Sequence, residues 1–264
     1  MSTPLLLTIL GVYGLIIGSF VNVVIVRVPS EESVLRPRSK CPMCQTPIAL
    51  RDNVPVLSWV LLRGRCRTCQ EPIPVGYPLV ELANAGLWVL AGVRFGASWE
   101  LVPFAVLFSV LLALSVIDLE LYILPNAITY PSALVSLLVI PPLALVATET
   151  PWNHIVGALI GGVAYAGGLG LTLVLYELIV RREGMGMGDV KLAATLGLWL
   201  GYLHPILVLY ALIAASVVGL VVGAAILVVR RESRPYPFGP WLALGAVLTI
   251  VASDWILDTF VNLS

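Results

Sequence analysis

Charge is what this sequence has least of. Charged residues make up 11% of its 264 positions and hydrophobic residues 59%, where a soluble globular domain carries about 25% charged residues. That scarcity excludes an ordinary soluble domain and points to an integral membrane protein. Fifteen basic residues balance fifteen acidic ones, so no net positive field exists to draw in nucleic acid, and none is expected as a partner. Histidine is also scarce, with His154 and His204 the only two. No H-E-x-x-H pair is present to ligate a hydrolytic zinc. Neither histidine has an evident triad partner, which argues against a serine protease. The glycine-rich strip Gly184–Lys191 lacks G-K-[ST] and a preceding strand, so it is not a phosphate-binding loop.

Long hydrophobic runs are plentiful. Eight of them fall near residues 4–26, 79–95, 101–117, 127–147, 154–180, 189–203, 204–229 and 239–260. A spanning helix needs about 17–25 residues, so most qualify, while the run at 189–203 is short enough to be re-entrant. The first run has no basic segment before it and no A-x-A-like site after it, so it is not expected to be a cleaved signal peptide. Arg27 at its far end places the N-terminus outside. Alternating from there, the cytoplasmic loops are 27–78, 118–126, 181–191 and 230–238. They hold 14 of the 15 basic residues and leave only Arg94 outside. A re-entrant 189–203 would move Arg230, Arg231 and Arg234 outside, so eight spans are favoured. The expected fold is an all-α integral membrane protein of about eight transmembrane helices, with both termini outside. Residues 1–28 form the first helix, 29–77 a small cytoplasmic insert and 78–264 the transmembrane core. The pairs Gly14/Gly18, Gly157/Gly161 and Gly219/Gly223 have the small-residue spacing that lets helices approach closely in lipid. No repeat suggests the two related halves of a transporter.

Cysteine is absent outside the insert, which holds all four: Cys41 and Cys44, then Cys66 and Cys69. Two C-x-x-C knuckles in one loop match the layout of a four-thiolate zinc site. A segment this short builds little core of its own, so a metal staple makes physical sense. A cytoplasmic location argues against disulfides. Redox dithiols and unbound thiols stay open as alternatives. Any zinc here would be structural, because four thiolates leave no position for a catalytic water. The basic excess of the insert is explained by topology or by contact with anionic lipid.

Carboxylates at the rim of apolar spans are functional candidates. Glu177 stands four residues before Arg181 and has a helical partner to hand. Asp254 and Asp258 lie near the outer end of the last run, and Glu81 begins the second. Asp118 and Asp189 are harder to dismiss. Both fall at the cytoplasmic edge of their runs, Asp118 after an unbroken apolar stretch and Asp189 after the alternating glycines of Gly184-Met-Gly-Met-Gly-Asp189. If the two meet, they share a proton, and one acts as base and the other as acid on a peptide bond. The glycines, Gly186 and Gly188 among them, would let a substrate strand come close. Spacing alone leaves open whether they meet or are two unrelated interfacial aspartates. Lys191 either positions substrate or meets lipid headgroups, the latter being favoured. A proton-coupled transporter and a non-catalytic scaffold are the rival classes.

The residues also carry a resemblance distributed over nearly the whole chain. It runs through Gly18-Ser-Phe-Val-Asn-Val23, Arg27-Val-Pro29, Asp52-Asn-Val-Pro55, Ser58-Trp59, Leu62-Arg-Gly-Arg-Cys66 and Tyr77-Pro-Leu-Val-Glu81. It continues with Ile117-Asp118, Leu124-Pro-Asn126, Glu183 to Leu192, and Pro237-Phe-Gly-Pro-Trp-Leu-Ala-Leu-Gly245. In this order the pieces resemble the type IV prepilin peptidases, bifunctional leader peptidases and N-methyltransferases of bacterial inner membranes. The resemblance implies an eight-helix membrane aspartic protease in which Asp118 and Asp189, within G-x-G-D, are the catalytic pair and Gly186, Gly188 and Lys191 line the active-site loop. It implies prepilin and pseudopilin substrates, whose basic leaders precede a hydrophobic helix. It also implies S-adenosylmethionine as methyl donor, for which Glu81 is the candidate contact, although no binding motif for it is legible. A peptidase without methyl transfer is the alternative within the family. The sequence departs from the family at Asn126, where Leu-Pro-Asp is common.

Overall fold

The computed structural model describes residues 2–181, 186–230 and 237–260. Gly184 and Met185 of the glycine strip, and Arg182, Arg231 and Arg234 of the expected cytoplasmic clusters, lie outside the described residues. Among the described residues no β-strand forms, and all eight apolar runs become helices. These are α1 (Thr3–Arg27), α2 (Leu57–Leu61, within the insert), α3 (Gly76–Phe95), α4 (Leu101–Leu121), α5 (Asn126–Ala147), α6 (Pro151–Val180), α7 (Met187–Leu203), α8 (Leu207–Arg230), α9 (Gly239–Val251) and α10 (Ser253–Phe260). By length and composition α1, α4, α5, α6 and α8 are long and apolar enough to cross a membrane. The eighth run is broken: α9 and α10 meet at 67°, and counting them as one span makes six. The eight spans expected are thus five or six by this measure. The 17 residues of α7 reach about 26 Å, short of the ~30 Å hydrocarbon core. Helix α3 carries Glu81 and Arg94 and also falls outside the set.

The chain divides into two compact units, Met1–Ala113 and Leu114–Ser264. In the first, α1 packs along α3 at the glycines singled out by spacing. A Cβ on Gly14 would stand 2.6 Å from Ala85 Cα, and one on Gly18 would stand 2.8 Å from Glu81 Cα. Water is absent from the hydrocarbon, so polar side chains find partners across helices. Asn84 Nδ2 donates to the Gly14 carbonyl at 2.7 Å, Asn22 Nδ2 to the Tyr77 carbonyl at 3.0 Å, and Trp88 Nε1 to Ser109 Oγ at 2.8 Å.

In the second unit α7 is the central element, and every residue from Thr195 to Tyr202 is buried. This is the run that looked marginal, and its position explains why: a helix sheathed by other helices has no need of full membrane length. It approaches α6 glycine to glycine, at Gly157 and Gly161 on one side and Gly197 and Gly201 on the other. Trp199 Nε1 donates to Ser136 Oγ on α5 at 2.8 Å, and His154 Nδ1 of α6 lies 2.7 Å from the Tyr202 carbonyl. Helix α9 packs on α8 at Gly245, where a Cβ would lie 2.6 Å from the Ala211 carbonyl oxygen.

A Cβ on Gly157 would stand 2.6 Å from the Gly201 carbonyl oxygen, whereas one on Gly167 of the same helix would meet nothing within 4 Å. Gly157→Ala is therefore expected to destabilise by about 1–3 kcal/mol through overpacking. Gly167→Ala should be neutral or slightly stabilising. Thermal unfolding of both variants in detergent checks the difference.

Candidate functional site

Two sets of chemistry-bearing side chains assemble, one in each unit. The first is the insert. Its two knuckles turn out to be copies of one another, Lys40-Cys-Pro-Met-Cys-Gln-Thr-Pro-Ile48 and Arg65-Cys-Arg-Thr-Cys-Gln-Glu-Pro-Ile73. In each, the first cysteine amide donates across the turn, Cys41 to the Thr46 carbonyl at 3.0 Å and Cys66 to the Glu71 carbonyl at 2.8 Å. In each, a glutamine takes a positive φ, 57° at Gln45 and 60° at Gln70. An isolated bridge closes each copy, Lys40 with Pro47 and Arg65 with Pro72.

The copies bring all four sulfurs within 4.8 Å of one another, with Cys41 and Cys69 Sγ 3.7 Å apart. A tetrahedron built on metal–sulfur bonds of about 2.3 Å has edges of about 3.8 Å, so the four thiols have the arrangement to hold one metal ion. Their ionisation is uneven. The Thr46 hydroxyl and amide hold the Cys44 thiol down at about 6, and the amides of Cys69 and Thr68 lower Cys66. Cys69 receives the Glu71 amide, yet desolvation and the three neighbouring sulfurs push it up to about 12. Four thiols this close do not all ionise without a cation among them.

The insert is braced from several sides. Arg67 clasps Asp52 through Nε–Oδ2 at 2.8 Å and Nη2–Oδ1 at 2.6 Å, which holds the Asp52 carboxyl below its usual range. Trp59 Nε1 donates to the Ile73 carbonyl at 3.0 Å, and its ring covers Gly64, whose φ of +66° and lack of room both require glycine. Glu81 is buried on α3, and its Oε2 accepts the Val56 amide at 2.7 Å. Val56 is β-branched and sits at φ 58°, ψ −51°, a costly conformation that persists only when its surroundings fix it. The carboxylate proposed to touch a methyl donor is thus committed to the backbone of the insert.

The second set holds the aspartates. Helix α4 ends at Leu121, followed by Tyr122 at φ 58°. Asp118, in its last turn, is 5% exposed. Asp189, 7% exposed, lies in the first turn of α7, with Gly186 at the N-cap. The fold brings the two within electrostatic reach of one another. Each meets a helix N-terminus, where unpaired amides favour an anion. Asp189 meets its own, and Asp118 meets that of α9: the Gly239 amide donates to Asp118 Oδ2 at 3.1 Å. A Cβ on Gly239 would stand 2.6 Å from that same oxygen. Leu124 wedges between the two helix starts, and a Cβ on Gly188 would meet its Cβ at 3.0 Å, one on Gly239 its Cδ1 at 3.4 Å. Glycine at 188 thus leaves space for Leu124, and at 239 it leaves space for a carboxylate. Gly186 sits more openly, its nearest side-chain neighbour being Asp189 Oδ2 at 3.9 Å from a built Cβ.

Lys191 does not reach for headgroups. Its Nζ donates to Asn126 Oδ1 at 2.8 Å and sits 4.7 Å from the centre of the Tyr130 ring, tying α7 to the start of α5. Asn126, the departure from Leu-Pro-Asp, therefore supplies an acceptor without a charge. Gly239, whose amide meets Asp118, was given no role by sequence reasoning, although it lies within the Pro237 to Gly245 stretch that carries part of the resemblance.

Comparison with known proteins follows the same division. The model for the bacterial peptidase A24 N-terminal domain matches residues 12–95, and that of the type IV leader peptidase family matches residues 105–224. The chain is 40% identical to the prepilin leader peptidase/N-methyltransferase of Myxococcus xanthus (strain DK1622) over 88% of its own length and 66% of that protein. It is 36% identical to that of Aeromonas hydrophila, covering 94% and 92% of the two chains, and 32% identical to that of Bacillus subtilis (strain 168), covering 98% and 99%. No solved structure matches.

The purified protein is expected to carry about one metal ion per chain, measured by elemental analysis. The double variant Cys41→Ser/Cys66→Ser should lose it and unfold its insert at a lower temperature. Wild-type protein isolated without metal, and equally stable, would sink the site.

Proposed function

The chain belongs to the type IV leader peptidase family, and on that premise we propose that it is an intramembrane aspartic endopeptidase with a second, methyl-transferring activity. Its substrates are type IV prepilins and type II secretion pseudopilins. It removes their basic leaders and then methylates the new N-terminal amine with S-adenosylmethionine. The observation that carries the first step is the burial of Asp118 and Asp189 within reach of each other, each at a helix N-terminus.

In this mechanism the pair shares one proton and holds one water. Asp118, which accepts the Gly239 amide, is the ionised member and takes a proton from the water as it attacks the scissile carbonyl. Asp189 donates its proton to the carbonyl oxygen. The tetrahedral intermediate then collapses: the proton taken up by Asp118 passes to the departing amine, and a hydroxyl of the diol returns a proton to Asp189 as the new carboxyl group forms. Gly186 leaves room for the substrate strand and Gly188 for Leu124 beside it, while Lys191, through Asn126 and Tyr130, fixes the turn that carries Asp189.

The pair works at the cytoplasmic face of a bacterial inner membrane, with both termini outside. The distribution of basic residues, 14 of 15 in the loops assigned inside, supports that orientation. Residues 29–77 form the cytoplasmic insert between the first helix, 1–28, and the core, 78–264. Its ion is zinc, held by Cys41, Cys44, Cys66 and Cys69. When bound it supplies neutralisation of packed thiolates and nothing catalytic, since all its positions are filled by protein. Glu81 fastens this insert to α3.

Asp118→Asn and Asp189→Asn, assayed with a purified prepilin in detergent, should each lower the cleavage rate by about 10²–10⁴-fold while keeping metal content and unfolding temperature. Methylation of a pilin supplied already trimmed should persist in both variants, read as the mass of one added CH2. Cleavage at the wild-type rate by Asp189→Asn would end the proposal, and trimmed pilin that never gains mass would limit the protein to the peptidase. Gly239→Ala, which places a methyl against Asp118 Oδ2, should cost about 10²-fold in cleavage through misplacement of that carboxylate, with little change in metal content.

A further inference from the structure

In the first unit, two adjoining cavities of about 360 and 190 Å³ open between α1 and the insert. They share Val23, Ser39 and Asn53 in their walls, so they form one groove within the usual size of small-molecule sites, about 300–1,000 Å³. One wall is a single stripe of α1. Ile16, Phe20, Val23 and Arg27 follow at steps of four, three and four residues, which places them on one helix face over about 16 Å. The groove is therefore polarised along its length. Its deep end is mainly apolar, with Ile16 and Phe20 of a membrane-spanning helix about half exposed, Ser19 between them, and Val54 and Pro55 opposite.

Its other end is cationic. Arg27 and Arg38 are its charged residues, set beside Ser39 and Asn53 among apolar neighbours that include Leu35, Ile48 and Leu50, and no carboxylate lines it. Arg27 donates Nη1 to the Ser33 carbonyl at 2.9 Å, which orients its guanidinium and leaves its other N–H groups for a ligand. Among the described residues neither arginine forms an ion pair.

We propose that this groove binds one anionic glycerophospholipid, its phosphate between Arg27 and Arg38 and an acyl chain along Ile16, Phe20 and Val23. Guanidinium groups pair with phosphate oxygens in a planar fork that lysine does not match. The apolar stripe runs from that fork into the bilayer, so a chain attached to the phosphate has a path that free phosphate would leave empty. A methyl donor carrying a sulfonium and an ammonium is poorly matched to two arginines without a carboxylate. Bound in this way, the lipid joins the membrane face of α1 to residues 38–55 of the insert.

The test uses full-length protein, delipidated in a neutral detergent and offered palmitoyl-oleoyl phosphatidylglycerol or palmitoyl-oleoyl phosphatidylcholine, with retained lipid read by native mass spectrometry. Selective retention of one phosphatidylglycerol is expected, with retention at least about tenfold weaker in Arg27→Gln/Arg38→Gln and unchanged in Arg63→Gln, an insert arginine away from the groove. Arg38→Gln alone, on an exposed side chain, should weaken retention if the double variant fails to fold. Equal retention of both lipids, or retention unaffected by Arg38→Gln, overturns the proposal. Displacement by inorganic phosphate at millimolar concentration would make it a phosphate site, and displacement by S-adenosylmethionine a methyl-donor site, and either result also overturns it.

Discussion

A carboxylate buried among apolar helices must find hydrogen-bond donors inside the protein, and Asp118 finds one in the backbone of Gly239. That contact is the constraint from which the second unit is best understood. The first amides of any helix lack partners within it, and in lipid no water replaces them. Asp118 at the end of α4 and the first amide of α9 therefore satisfy each other, at 3.1 Å. Asp189 stands in the first turn of its own helix, α7, where the same unpaired amides lie. Two acidic groups are thus held at one end of the unit by two positive helix ends, with Leu124 filling the space between. The glycines there leave volume for a neighbouring atom: a side chain on Gly239 would displace the carboxylate, and one on Gly188 would displace Leu124.

The position of α7 follows from packing rather than from lipid. It is sheathed by its neighbours, meets α6 through four glycines and is pinned to α5 by Trp199 and Lys191. A helix fixed at so many points delivers Asp189 to one place, which is what chemistry on a peptide bond requires. The insert is fixed differently. It has almost no buried apolar side chains, Cys41 being the exception among residues 29–75. Order there comes from two copies of one turn, from the clustered thiols, from the Arg67–Asp52 clasp and from Glu81 holding the amide of a strained Val56. Polar ties, and four thiols placed to hold a metal ion, substitute for a hydrophobic core in a segment too short to build one.

The elements were legible wherever composition is decisive. Every apolar run became a helix, because backbone in lipid must satisfy itself locally, and Gly14, Gly18, Gly157 and Gly161 did mark close helix contacts. The four cysteines did cluster, since paired C-x-x-C turns constrain their sulfurs before any long-range packing. Less legible were the partners across elements. Nothing in the spacing linked Lys191 to Asn126, Glu81 to Val56 or Asp118 to Gly239, at separations of 65, 25 and 121 residues. The break of the last run into α9 and α10, bent by 67°, was equally hidden, because hydropathy is blind to helix direction.

By itself, then, the sequence determined that this chain is helical and membrane-embedded, that its thiols converge, and that Asp118 and Asp189 are the acidic groups most in need of an explanation. These are consequences of residue type and local period. That the two aspartates lie within reach of each other, that a glycine amide 121 residues away orients one of them, and that Glu81 is a brace were decided only by the tertiary structure. A lone carboxylate in an apolar run has no preferred partner until the helices pack, and packing selects the one donor that the bilayer cannot supply.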